Sequence, residues 1–216
     1  MRQSYTTISQ KTMNYMVEEG PGRADFVRYW TLMAEAVKDH PSAFAAELMN
    51  EPMSINRRGM YDTWRAAAKA INGVIPDMSV AVCDTGEGAV LPGWVYDLLD
   101  KVPLPYLAPS EDTVKWMRAS RTLFYAWHWY DAPSTPAAAV QHVRAVMADW
   151  DMPSFATEFG SCDAWTECAK VNISHAYWHY SSYCNTGPDF GNRTVPDDTF
   201  GGCMLGWAGG DPDKCM

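Results

Sequence analysis

The stretch Ser42-Ala-Phe-Ala-Ala-Glu-Leu-Met-Asn-Glu-Pro52 indicates how this chain folds. Its short apolar run is typical of a buried strand, and the run ends at a polar Asn-Glu pair followed by proline. Residues 24–39 before it and residues 58–72 after it carry apolar side chains at helical spacing. A helix, a strand and a second helix in this order predict a βα unit of a parallel sheet.

The same alternation of patterns continues along most of the chain. Helices are expected between four further strands, which are predicted at residues 78–83, 122–127, 154–157 and 175–180. Polar or ionisable residues follow four of the five predicted strands, namely Asn50 and Glu51, Asp84 and Glu87, His128 and Tyr130, and Glu158. Because the carboxyl ends of parallel strands meet at one edge of a sheet, these side chains are predicted to line a shared cleft.

The length and charge of the chain exclude several classes of function. Its 216 residues are enough for one domain of moderate size. With 17 Lys+Arg against 26 Asp+Glu the net charge is -9, which does not suit a nucleic acid or an anionic membrane surface as a partner. No apolar run approaches the ~18 residues that a membrane span requires. The 10 Trp and 11 Tyr suit a sugar-stacking groove as well as a core.

The cysteines bear on the compartment of the protein. Five of the six lie after residue 160, and their spacing does not form two CxxC pairs, so no zinc site is predicted. Cys162 and Cys168 flank a short loop and could close a disulfide, and the later cysteines could staple the Gly- and Pro-rich residues 185–216. Two N-glycosylation sequons, which begin at Asn172 and Asn192, agree with a secreted glycoprotein.

Four short motifs follow one another along the chain. They are Leu48-Met-Asn-Glu-Pro52, Tyr125-Ala-Trp-His-Trp-Tyr130, Phe155-Ala-Thr-Glu-Phe-Gly160 and Tyr177-Trp178. In this order they resemble the successive active-site strands of glycoside hydrolase family 5, the cellulase-like family of retaining β-glycosidases. The resemblance covers residues 24–184. It implies an α/β fold, an incomplete (β/α)8 TIM barrel of about five C-terminal βα units with parallel strands.

The resemblance also implies how the chain is organised. Residues 1–184 would form the partial glycosidase domain, and residues 185–216 a Cys- and Gly-rich tail. The first three βα units of the family barrel, with the Arg and the His that they carry, have no counterpart here. The N-terminal stretch is polar and lacks the apolar segment of a signal peptide. We therefore expect a secreted parent protein whose N-terminal part is missing from this chain.

Site residues follow from the resemblance one at a time. It implies that Glu51 is the general acid/base and that Glu158 is the nucleophile. Retaining hydrolysis independently requires two carboxyl groups about 5 to 5.5 Å apart. The substrate-binding positions of the family fall on Asn50, His128, Tyr130 and Trp178, of which Asn50 would bond the sugar 2-hydroxyl and Trp178 would stack on the sugar. Neither a metal nor an organic cofactor is implied, because the two carboxyls supply the chemistry.

Other residues have more than one interpretation. Asp84 and Glu87 could line the cleft with polar contacts to sugar. Three tryptophans are candidate stacking platforms, namely Trp127, Trp129 and Trp165. His128 could instead be a structural buried histidine, and Trp178 a core residue.

The expected function is hydrolysis of O-glycosidic bonds in a β-glucan or a related β-glycoside by a retaining double displacement. A carbohydrate is the expected partner. The main alternative is a non-catalytic carbohydrate-binding remnant of a truncated glycosidase, which would keep the aromatic cleft without turnover. A cysteine-stapled secreted interaction protein is the third interpretation, and it leaves the polar residues at the strand ends unexplained.

Overall fold

The computed structural model describes residues 12–88, 93–102, 104, 106–129, 135–159 and 167–176. Within them a single sheet contains β1 (Ala45–Glu47), β2 (Ser79–Cys83), β3 (Leu123–Trp129), β4 (Ser154–Phe159) and β5 (Ser174–His175). The strands lie in chain order and every neighbouring pair is parallel. Sequential order is that of a barrel wall, whereas a doubly wound sheet reverses its strand order. The predicted alternation of strands and helices is confirmed.

Helices connect the strands. Their bounds are α1 (Pro21–Val37), α2 (Arg57–Val74), α3 (Gly93–Lys101), α4 (Glu111–Ala119) and α5 (Pro136–Trp150). Polar side chains fix where three of them begin, because Asn56, Ser110 and Thr135 each accept a hydrogen bond from a backbone N–H of the first turn. The predicted helices at 24–39 and 58–72 are confirmed as α1 and α2, with differences of three residues or fewer at their ends.

The two faces of the sheet have different roles. Tyr125, Trp127 and Trp129 of β3 pack in the main core, which also contains Trp64 of α2 and Val143 of α5. A second, small cluster lies on the other face, where Ala81, Cys83 and Ala126 pack with Phe124. Successive side chains of a strand point to opposite faces, so His128 shares the second face with Ala126.

This alternation corrects the expectation for two tryptophans. Trp127 is 1% exposed and Trp129 is 5% exposed, and both belong to the main core. They are therefore not platforms for sugar stacking. Trp165, the third candidate, lies outside the described residues.

The interpretation of Asp84 as a cleft residue is also wrong. Its carboxylate is buried and accepts two hydrogen bonds from Arg57, at 2.9 Å from Nε and 2.5 Å from Nη2. Arg57 donates a further bond to the carbonyl of Leu107 at 3.0 Å. The Ser54 N–H donates to Thr85 Oγ1 at 3.1 Å beside this pair. These bonds tie the segment after β1 to the segment after β2, and so they hold the chain that carries Glu51.

The described cysteines do not support the predicted disulfide. Cys168 is a free thiol, and Cys83 and Cys168 are both buried. Cys162, the suggested partner of Cys168, lies outside the described residues, as does the stretch 185–216. No helix in the described part of the chain is long and apolar enough to cross a membrane.

Candidate active site

Polar side chains meet at the carboxyl edge of the sheet. Asn50 and Glu51 follow β1, His128 lies near the end of β3, and Glu158 lies near the end of β4. Glu51 has a backbone φ of 46°, in the left-handed region, although it carries a Cβ and precedes a proline. Such a conformation costs of order 1–3 kcal/mol and persists only where the surrounding structure enforces it. The segment bonded through Ser54 and Thr85 supplies that support.

The imidazole of His128 lies between the two glutamates. Its Nδ1 atom is 3.2 Å from Glu51 Oε1 and 3.6 Å from Glu158 Oε2. One carboxylate oxygen of each glutamate and one nitrogen of His128 lie within 4.8 Å of one another. Carboxylate oxygens of the two glutamates therefore approach each other closely enough for the short carboxyl separation of a retaining mechanism.

The two glutamates differ in exposure. The side chain of Glu51 is 38% exposed and that of Glu158 is 15% exposed. An acid/base must reach both a departing oxygen and an incoming water, which agrees with the more exposed position of Glu51. A nucleophile is held in place by its surroundings, which agrees with the more buried position of Glu158.

The other side of the His128 ring contacts a second polar group. Its Nε2 atom is 3.0 Å from Thr157 Oγ1 and 3.6 Å from Glu47 Oε1. Thr157 donates its hydroxyl proton to Glu47 Oε1 at 3.1 Å. Burial lowers the pKa of His128, but hydrogen bonds to Glu47 and Glu51 and the charges of Glu158 and Glu47 outweigh it and raise the pKa to about 9. His128 is therefore a cation at neutral pH.

This protonation state bears on metal binding. Glu51, His128 and Glu158 include the donor types of a divalent-cation site. A metal, however, binds the neutral imidazole through a nitrogen lone pair. Both nitrogens of His128 face oxygen acceptors and carry protons, so this histidine fits a hydrogen-bond donor better than a ligand.

The predicted site residues fall into two groups. The structure brings Glu51, Glu158 and His128 together and places Asn50, which is exposed, next to Glu51 in the chain. Tyr130 and Trp178 lie outside the described residues. His128 is fully buried, as the structural interpretation required, yet its contacts are with ionisable groups of the site.

The sequence interpretation missed Glu47 and Thr157. Both lie within strands, at Ala45–Glu47 and Ser154–Phe159, where apolar side chains predominate. A charged residue inside an apolar strand was the available signal for Glu47, since such a group needs a polar partner. Thr157 gave a weaker signal, because threonine is common in strands.

Comparisons with known proteins identify the family and the fold of this chain. The family Cellulase (glycosyl hydrolase family 5) matches residues 6–184. A solved endoglucanase shares the fold with a TM-score of 0.60 at 14% identity, covering 94% of this chain and 69% of that one. XacCel5A in complex with cellopentaose gives 0.59 at 16% identity, covering 82% and 62%. Thermotoga maritima Cel5A in complex with cellobiose gives 0.56 at 15% identity, covering 93% and 69%.

These structures define how much of the family fold the chain contains. The chain spans about two thirds of their length, and its five parallel strands match part of their barrel. At such identities the structural likeness shows the fold alone. No curated protein sequence matches the chain. The family match covers most of the sequence, and on that ground the chain belongs to glycoside hydrolase family 5.

Proposed function

We propose that this chain carries the catalytic pair of a retaining β-glycosidase that acts on a β-glucan or a related β-glycoside. Membership of the family implies β-glycoside hydrolysis. One observation supports the assignment to particular residues: carboxylate oxygens of Glu51 and Glu158 lie within 4.8 Å of each other at the carboxyl edge of the sheet. That separation suits double displacement.

The first half of the reaction forms a covalent intermediate. Glu158 attacks the anomeric carbon and forms an ester bond to it while the glycosidic C–O bond breaks. Glu51 donates its proton to the departing oxygen, which leaves as an alcohol. The imidazolium of His128, 3.6 Å from Glu158 Oε2, supplies a positive charge beside the nucleophile.

The second half releases the sugar. Glu51, now a carboxylate, removes a proton from water while the water oxygen attacks the anomeric carbon. The ester bond to Glu158 breaks, and the nucleophile returns as a carboxylate with Glu51 protonated again. Two inversions at one carbon leave the anomeric configuration unchanged.

Three further residues are proposed to bind the substrate. Asn50 adjoins Glu51 and would bond the 2-hydroxyl of the reacting sugar, a contact that strengthens in the transition state. Tyr130 and Trp178 keep the roles that their motifs imply, contact near the nucleophile and stacking on the sugar. Two related structures are complexes with cellopentaose and with cellobiose, so cello-oligosaccharides are the first substrates to test.

The assignment predicts that Glu51→Ala and Glu158→Ala fail at different steps of the reaction. With an aryl β-cellobioside that has a good leaving group, Glu51→Ala should still form the intermediate and then stall, because only the second step needs the base. Sodium azide should restore turnover and give a β-glycosyl azide. Glu158→Ala should lose turnover without a β-azide product. Equal, unrescued losses in both variants would contradict the assignment.

The alternative is a carbohydrate-binding remnant without turnover. The partial coverage of the related structures favours it, because about a third of their length has no counterpart in this chain. Binding of cello-oligosaccharides together with no hydrolysis by the unsubstituted chain would support this alternative.

We also propose that the parent protein is secreted. Asn172, the first residue of one sequon, is exposed and therefore accessible to glycosylation. Treatment of the protein from its native source with an N-glycosidase should lower its mass and convert Asn172 to aspartate. An unmodified Asn172 and an unchanged mass would contradict this proposal.

A further inference from the structure

We propose that Glu47 is a positioning residue which, through Thr157, holds the ring of His128 with both of its nitrogens donating. The proposal deepens the proposed function, on which its catalytic consequence rests. It assigns a third carboxylate to the site, one that would touch His128 and not the substrate.

Glu47 reaches across the sheet to a distant strand. Glu47 ends β1 and contacts Thr157 of β4, although β2 and β3 lie between these strands. Small side chains make this contact feasible, since Ala81 and Ala126 line the face between them. The sheet must curve strongly for two side chains three strands apart to meet, as a barrel wall does.

The hydrogen bonds from His128 through Thr157 to Glu47 all run in one direction. A carboxylate only accepts, so Thr157 must donate its single hydroxyl proton to Glu47. The hydroxyl can then only accept from His128 Nε2, at 3.0 Å. Nε2 therefore carries a proton, and Glu47, on another strand, fixes this protonation of the His128 ring.

Acceptor groups surround the imidazole ring of His128. On the opposite side, Nδ1 lies 3.2 Å from Glu51 Oε1 and 3.6 Å from Oε2 of the Glu158 carboxylate, which only accepts. Negative charge thus faces His128 from Glu47 at the end of β1 and from Glu158 on β4, and Glu51 adds to it whenever its carboxyl is ionised. The β2 strand contributes the thiol of Cys83 to the same face. Glu47 completes a ring of acceptors that requires protons on both nitrogens.

Loss of Glu47 would allow the hydrogen bond between Thr157 and His128 to reverse its direction. The Thr157 hydroxyl would be free to donate to Nε2, which would stabilise a neutral imidazole with its proton on Nδ1. His128 would then lose its charge at a lower pH. The positive charge beside Glu158 would disappear over the same pH range.

The direct test is an NMR titration of the His128 imidazole, assigned with His128→Asn. In the unsubstituted chain the ring should titrate near pH 9. Glu47→Gln keeps the size of the side chain and removes its charge, and should move this titration down by at least one pH unit. Glu47→Asp keeps the charge and should lower the titration of His128 by less. Glu111→Gln removes an exposed carboxylate on α4 and should leave that titration unchanged.

A second pair of variants covers the case in which Glu47→Gln does not fold. Thr157→Val removes the hydroxyl at nearly constant volume and should lower the titration of His128. Thr157→Ser keeps the hydroxyl, so His128 should titrate near the same pH as in the unsubstituted chain. The proposal would be overturned if His128 in Glu47→Gln titrated within 0.3 pH units of its value in the unsubstituted chain. If Glu47→Gln does not fold, the same criterion applies to Thr157→Val.

The catalytic consequence is a shift in a pH profile. With the aryl β-cellobioside, whose good leaving group does not need the proton of Glu51, the alkaline limb of the rate of intermediate formation should move to lower pH in Glu47→Gln by the same amount as the titration. A purely structural role would lower the rate equally at every pH and leave the limb in place, which would overturn the positioning role. If the unsubstituted chain forms no intermediate, the proposed function fails, while the NMR titration still decides whether Glu47 controls His128.

Discussion

His128 Nδ1 lies 3.2 Å from Glu51 Oε1, although 77 residues separate them in the chain. The same nitrogen is 3.6 Å from Glu158 Oε2. One protonated ring thus contacts both members of the proposed catalytic pair. This relationship makes the charge of His128 the main electrostatic variable of the site.

The stability of the protein should depend on pH through His128. Its pKa rises from 6.5 to about 9 on folding, so its contribution is fully present below pH 6.5 and is lost as pH rises through 9. At 1.36 kcal/mol per pKa unit, the contribution is at most about 3.5 kcal/mol. Urea unfolding at pH 6.5 and 9.5 should show this loss in the unsubstituted chain.

His128→Asn is the control for that measurement. Its unfolding free energy should change much less between the two pH values, because the titrating group is gone. An equal decline in both proteins would show that other groups cause the pH dependence.

The buried pair of Arg57 and Asp84 should be the most sensitive ion pair of the described structure. Asp84→Asn leaves a buried guanidinium without its counter-charge and should lower the free energy of unfolding by about 3–5 kcal/mol. Lys115→Ala, which removes an exposed pair with Glu111, should change it by about 0.5 kcal/mol or less. Chemical denaturation of the two variants gives the comparison, and similar values for both would contradict it.

Two glycines of α2 should respond to alanine in opposite directions. A Cβ on Gly59 would lie 2.3 Å from the carbonyl oxygen of Val17 and 2.6 Å from the Asn56 side chain that caps the helix. Gly73 is exposed in the same helix and has open space around it. Thermal unfolding should show that Gly59→Ala is destabilised and that Gly73→Ala is stabilised by about 0.5–1 kcal/mol. A stabilised Gly59→Ala would show that the contact with Val17 is absent.

Cys168 should be unreactive in the folded protein. Burial and the nearby charge of Glu167 raise the pKa of its thiol to about 12, so almost no thiolate is present at pH 8. Iodoacetamide followed by peptide mapping should leave Cys168 unmodified in the native protein and label it in guanidinium chloride. Rapid native labelling, or a disulfide from Cys168 to another cysteine, would contradict the structure.

The sequence predicted much of the fold, because its apolar periodicity and its strand ends are local signals. The βα order and the grouping of Glu51, His128 and Glu158 follow from such signals. Strand alternation could also have shown that Trp127 and Trp129 face away from His128, since neighbours on a strand point to opposite faces. That rule was available from the sequence and would have removed both from the stacking candidates.

Other features depended on partners far away in the chain. Asp84 is buried because Arg57, 27 residues earlier, reaches it. Glu47 contacts Thr157 across 110 residues because the sheet curves. The local sequence shows that Glu47 needs a polar partner but does not identify Thr157, and it does not show whether a polar residue at a strand end, such as Asp84, faces the cleft or the core.

The covalent intermediate offers the most direct test of the central claim. The chain should be incubated with an activated 2-fluoro cellobioside, a substrate whose second step is slow, and then digested and mapped by mass spectrometry. The account predicts one glycosyl group per molecule, attached to Glu158, and no such adduct in Glu158→Gln. Cello-oligosaccharide binding with no adduct, or an adduct on another residue, would contradict it.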